Sequence, residues 1–141
     1  MNRGCTRMDT DKEKRMVTRE ELNRVSEAVI GCAFKVQNTL GIGFLEKVYE
    51  NALAHEIRKL GFQVEQQRPI NVMYDGIVVG EYFADILVDG ELILELKVVK
   101  AIDDIHLAQC LNYLKATGHR LCLLMNFHEP RVGIKRIVNG F

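Results

Sequence analysis

Residues 92–98 read Leu-Ile-Leu-Glu-Leu-Lys-Val, and this short run constrains the chain more than any other. Strand geometry sends successive side chains to opposite faces, so Leu92, Leu94, Leu96 and Val98 share one face while Ile93, Glu95 and Lys97 share the other. A carboxylate and an ammonium therefore stand side by side in an otherwise apolar strand. In the preceding strand Tyr82, Ala84, Ile86 and Val88 share a face, leaving Phe83, Asp85 and Leu87 opposite. A two-residue hairpin at Asp89-Gly90 would set Asp85 among leucines. A pairing with Ile86 opposite Leu94, Ala84 opposite Leu96 and Asp85 opposite Glu95 segregates apolar from acidic side chains, which predicts an odd-length turn or a bulge. Two apposed carboxylates repel unless a proton or a cation lies between them. Magnesium or manganese would resolve the conflict with Asp85, Glu95 and the Leu96 carbonyl as oxygen ligands and Lys97 beside the bound waters. A surface cluster of Asp, Glu and Lys is the alternative that the spacing leaves open.

The rest of the chain supplies helices and strands around this pair. Thr18 and Glu21 form a T-x-x-E capping box for a helix that carries Leu22, Val25, Val29, Cys32, Phe34 and Val36 towards Leu40, where Gly41 and Gly43 break it. A second helix is expected over about 44–60, with Gly61 as its stop. From Gln63 the apolar period becomes two, with turns at Asp75-Gly76 and Asp89-Gly90. Asp103 or Asp104 caps a third helix through Thr117, Gly118 closes it, 121–127 is a buried strand, and a last strand spans 134–138. The order α, α, β, β, β, α, β, β predicts an α/β fold with a mixed sheet and helices packed on it. Residues 1–16 are charged and lack apolar periodicity, so they are expected to be a flexible leader, with one domain over 17–141.

Two further groups of polar residues belong with the strand pair. In the second helix Glu46 falls inside the apolar arc that runs from Val48 through Tyr49 and Leu60 to Ile57. It is a candidate third acidic ligand or, alternatively, a first-turn acid favoured by the macrodipole. Glu50 lies at the margin of that arc and Glu56 has a surface alternative. In the third helix His106, Gln109 and Tyr113 line a polar edge beside the Leu107, Leu111 and Leu114 stripe, suited to a phosphate or to the surroundings of Lys97, or else plain surface.

Composition excludes several classes. The 4 cysteines form no CxxC pair and the 4 histidines no H-x-x-x-H pair, against a zinc site; no Gly-rich phosphate loop precedes a helix. No apolar stretch approaches the roughly 20 residues of a membrane span, and reduced thiols fit a cytoplasmic protein. Net charge is +0 at pH 7, which counts against a broad basic nucleic-acid surface, although residues 97–141 hold 7 basic against 3 acidic side chains.

Gly43-Phe44-Leu45-Glu46-Lys47-Val48-Tyr49 resembles the signature of the GxxExxY family, a branch of the PD-(D/E)XK nuclease superfamily. The similarity continues through Phe83-Ala84-Asp85, Glu95-Leu96-Lys97, Gln109 to Tyr113, Leu124 to Phe127 and Lys135 to Ile137, over residues 20–138. Gln109 and Tyr113 also resemble the Q-x-x-x-Y element of RecB-like nucleases, and Ala84 replaces the proline of the superfamily's name. The resemblance implies a three-layer restriction-endonuclease-like fold, with Asp85, Glu95 and Lys97 on the central sheet and Glu46 approaching from a helix. It implies metal-dependent hydrolysis of nucleic-acid phosphodiesters; DNA is expected in preference to RNA, and the small surface that one such domain offers a duplex leaves a homo-oligomer or a subunit of a larger complex as a further reading. A non-catalytic nucleic-acid- or protein-binding module on the same fold is the alternative.

Overall fold

The computed structural model describes residues 17–140, so the expected leader at 1–16 lies outside the described residues. The elements are α1 (Arg19–Leu40), α2 (Glu46–Lys59), β1 (Val64–Tyr74), β2 (Ile77–Val88), β3 (Leu92–Lys97), α3 (Asp104–Thr117), β4 (Leu121–Asn126) and β5 (Gly133–Val138). Their order is the one read from the sequence.

Local chemistry sets the helix ends. The Thr18 hydroxyl accepts from the Glu21 N–H (3.0 Å) and the Glu21 carboxylate accepts from the Thr18 N–H (2.9 Å), so two of the otherwise unpaired amides of the first turn are satisfied. At α3 Asp103 Oδ1 accepts from the Ile105 N–H, while the Asp103 N–H donates to His106 Nδ1 (3.1 Å). His106, expected on a polar edge with Gln109 and Tyr113, is therefore engaged in the helix cap.

The five strands form one mixed sheet in the order β1-β2-β3-β4-β5. β1–β2, β2–β3 and β4–β5 pair antiparallel, and β3–β4 pair parallel with α3 as the crossover. A three-residue turn, Asp89 to Glu91, joins β2 to β3, so Val88 faces Leu92, Leu87 faces Ile93 and Ile86 faces Leu94. This is the odd-length turn that segregation of apolar and acidic side chains demanded.

Three layers result. On one face of the sheet α1 and α2 pack Leu22, Val29, Val36, Tyr49, Leu53 and Ile57 against Ile86, Val88, Leu92, Leu94, Leu96, Leu121, Leu123 and Met125. On the other, α3 packs Cys110, Tyr113 and Leu114 against Ile70, Ala84, Leu87, Ile93, Cys122 and Leu124.

Two expectations of phase are corrected. Leu45 is 80% exposed, Val48 and Leu60 are also exposed, and the buried face of α2 is Tyr49, Glu50, Leu53, Ala54 and Ile57. The arc drawn through every apolar residue was centred too far towards Leu45, so Glu46 is exposed and Glu50 is the buried acid. In β2, Ile86 and Val88 belong to the α1/α2 core but Ala84 belongs to the α3 core, so these residues do not share one face. Alternation switches across Asp85. Simple period-two reading assumes an uninterrupted ladder, and the ladder is interrupted there.

Candidate metal centre

The β2–β3 backbone ladder ends at Ile86 and Leu94. One step further on, side chains replace the main chain: the Asp85 N–H donates to Glu95 Oε2 (3.0 Å), and the Leu96 N–H donates to Asp85 Oδ2 (2.8 Å). Each carboxylate thus satisfies a backbone amide of the opposite strand, which the opened ladder would otherwise leave unpaired. On the far side of β3 the Lys97 carbonyl accepts from the Phe127 N–H (2.8 Å). Carbonyls alternate sides along a strand, so that of Leu96 is directed towards β2 and Asp85.

The electrostatics follow from this packing. Glu95 is 5% exposed, and burial, reinforced by the Asp85 charge, pushes its pKa up to about 9. Burial also raises Asp85, as does Glu50; the Leu96 N–H and Lys97 oppose the shift. The Glu46 carboxyl, although its residue is exposed, is shielded enough that desolvation raises its pKa, against the pull of Lys97, with Asp85 adding repulsion. Lys97, half-buried and opposite Asn126 in the β3–β4 ladder, stands close enough to act on all three carboxyls. Asn126 fixes the backbone just beyond it, donating to the Val99 carbonyl (2.8 Å) and accepting from the Val99 N–H (3.1 Å).

Glu46 owes its place to Tyr49. The buried Tyr49 hydroxyl donates to the Gly41 carbonyl (2.7 Å) and accepts from the Phe44 N–H (3.2 Å), and its ring stacks on Phe127 at 4.8 Å. Gly43 turns the same loop with φ 106°, a region that an L side chain rarely enters. The glycine and tyrosine of the heptapeptide thus build the entry to α2, and its glutamate begins the helix. Tyr49→Phe leaves two backbone groups short of a partner and is expected to cost about 1–2 kcal/mol in urea denaturation. An unchanged midpoint would show that the loop is held by other contacts.

Gln109 and Tyr113 are only partly drawn in. Tyr113 is buried, packs on Tyr82 at 5.8 Å, and has its phenol raised by burial and then by the Glu95 and Asp85 charges. Gln109 lines a groove of about 770 Å³ between α3 and the β1–β2 hairpin. Among the described residues no hydrogen bond joins either side chain to Asp85, Glu95 or Lys97, and no group of three His, Cys, Asp or Glu side chains stands at metal-binding spacing.

Sequence reasoning missed Glu50 and Gln67. Glu50 is 4% exposed and accepts from Gln66 Nε2, Gln67 Nε2 and Lys47 Nζ at 2.9, 2.9 and 3.2 Å. A helical arc centred on Tyr49, Leu53 and Ile57 contains it. Gln67, in the polar run Glu65-Gln66-Gln67-Arg68, gives no such signal.

A mixed five-stranded sheet with helices packed on both faces is the architecture of restriction-endonuclease-like α/β proteins. Residues 23–137 match the family model described as the PD-(D/E)XK nuclease superfamily, and the chain belongs to that superfamily. Its members generally use divalent metal ions and act on nucleic acid. No curated protein and no solved structure gives a match to the chain.

Proposed function

We propose that the chain is a nuclease of the GxxExxY branch that hydrolyses nucleic-acid phosphodiester bonds with Mg²⁺ or Mn²⁺. The observation that carries this reading is the pair Asp85 and Glu95, each bonded to the other strand's backbone, with Lys97 beside them. The donor set is one of hard oxygens, which is the chemistry these cations select. Asp85, Glu95 and the Leu96 carbonyl would hold the ion, with Glu46 reaching in from the start of α2. A divalent cation there supplies Lewis acidity and lowers the pKa of water. Lys97 orients the attacking water and stabilises charge that develops on the phosphate. Tyr113, near the acidic pair, and Gln109, on the next turn of α3, support the phosphate or the Lys97 ammonium. DNA is the favoured substrate, and a homo-oligomer or larger complex would extend the surface that a chain of 141 residues offers a duplex.

The test is cleavage by the purified full chain of single- and double-stranded DNA and RNA, with Mn²⁺, Mg²⁺ or EDTA, alongside Asp85→Ala. Metal-dependent cleavage that Asp85→Ala abolishes is the expected result. Cleavage that survives the substitution would identify a contaminant. Mn²⁺ calorimetry without heat, together with nucleic-acid binding, would favour the non-catalytic module.

A further inference from the structure

Among the described residues three that are not glycine have positive φ. Asp75 and Asp89 lie in hairpin turns, each followed by a glycine. Gln67, at φ 56°, lies inside β1, between Gln66, which faces Ile86, and Arg68, which faces Ala84. A left-handed residue within a strand persists where its surroundings over-determine it, and such strain gathers at functional sites. Here the surroundings are acidic. Gln67 Nε2 donates to Glu50 Oε1 at 2.9 Å and to Asp85 Oδ1 at 3.3 Å, using both amide hydrogens. Glu50 is itself held by Gln66 and Lys47, and Asp85 Oδ2 takes the Leu96 N–H. A continuous line of bonds therefore runs from α2 through Glu50, Gln67 and Asp85 to the backbone of β3.

We infer that Gln67 is a positioning residue that fixes the Asp85 carboxylate between β1 and β3, using the buried Glu50 as its anchor. The residue type follows from what it must join. A primary amide offers two N–H donors to the two carboxylates, an acid in its place would repel both, and asparagine is one methylene shorter. The catalytic consequence rests on the metal-dependent reading above, whereas the positioning itself is a property of the metal-free protein.

The experiment compares the wild-type full chain with Gln67→Gly and Gln67→Asn. Glycine and asparagine both tolerate the left-handed backbone, so neither variant adds strain, and both remove the bridge. The first measurement is amide hydrogen exchange in EDTA at Leu96, with Leu94 and Leu123 as references. Exchange about tenfold faster at Leu96 alone in both variants is expected, because its acceptor is no longer held. Unchanged exchange at Leu96, or equal acceleration at all three amides as a general loss of stability would give, overturns the inference. The second measurement is Mn²⁺ calorimetry, where loss of a residue that orients a ligand weakens affinity about 10–100-fold. Equal affinity in wild type and Gln67→Gly also overturns it. Wild type that binds no Mn²⁺ sinks the nuclease reading instead, and the Leu96 exchange then decides for or against Gln67.

Discussion

Lys97→Met is expected to lower metal-dependent cleavage by about 10²–10³-fold while leaving the fold intact, the range seen when one preorganised electrostatic group is removed from a hydrolytic site. Lys97 is a cleaner target than either carboxylate. Among the described residues it is part of no ion pair within 4.0 Å, and methionine retains most of its aliphatic stem, so little packing is lost. Asp85→Ala, in contrast, also strips the Leu96 N–H of its acceptor and mixes a structural effect with a chemical one. Removing the ammonium has a second consequence: Lys97 holds down the pKa values of Glu46, Asp85 and Glu95, so its loss keeps those carboxyls protonated to higher pH. The activity that remains in Lys97→Met should therefore recover in part as pH rises. Single-turnover cleavage across pH, with a urea midpoint as the control for folding, measures both effects. Activity within threefold of wild type would remove Lys97 from the mechanism.

Glu95→Gln is expected to abolish the proposed cleavage and yet make the metal-free protein more stable at pH 8, by about 1–2 kcal/mol, because the neutral amide has no charge to desolvate in a buried position. The sign follows from proton linkage. Glu95 has a folded-state pKa of about 9 against an ordinary value of 4.5, so between these values the folded chain keeps a proton that the unfolded chain has released. Stability from this group is complete below about pH 4.5 and declines as pH rises towards about 9. Asp85, raised as well, acts in the same direction. Glutamine carries no charge to bury and keeps an oxygen for the Asp85 N–H, so the decline should flatten in the variant. Urea denaturation in EDTA between pH 5 and pH 9 provides the measurement. A variant less stable than wild type at pH 8, or one with the same slope, would show that the Glu95 carboxylate is not under electrostatic strain.

Much of this arrangement was legible because independent signals agreed. Thr18 with Glu21, and Asp103, marked helix starts through side chains that bond to particular amides. Register between β2 and β3 followed from energy rather than propensity, since only one pairing kept Asp85 away from leucines. Illegible features share a different cause: each depends on where a neighbouring layer stops. Leu45 and Val48 are as apolar as Leu53, but among the described residues they stay 80% and 38% exposed, and a helical wheel weights all three equally. Ala84 changes face because Asp85 bonds to Leu96 through its side chain, which alternation does not anticipate. Gln67 is invisible in sequence because its role depends on contacts with residues 17 positions before it and 18 after.

The parallel pairing of β3 with β4 also bears on when, during synthesis, the site comes into being. β1, β2 and β3 form a meander joined by short turns, so Asp85 and Glu95 can meet as soon as β3 has emerged, with little loop-closure entropy to overcome. Lys97 is different. It is held against Asn126, which reaches β3 only after the whole of α3 has been made and has crossed the sheet. A ribosome-bound chain that ends before β4 carries the acidic pair without the strand that sets its lysine. The last of these three side chains to be put in register is thus governed by a residue about thirty positions downstream.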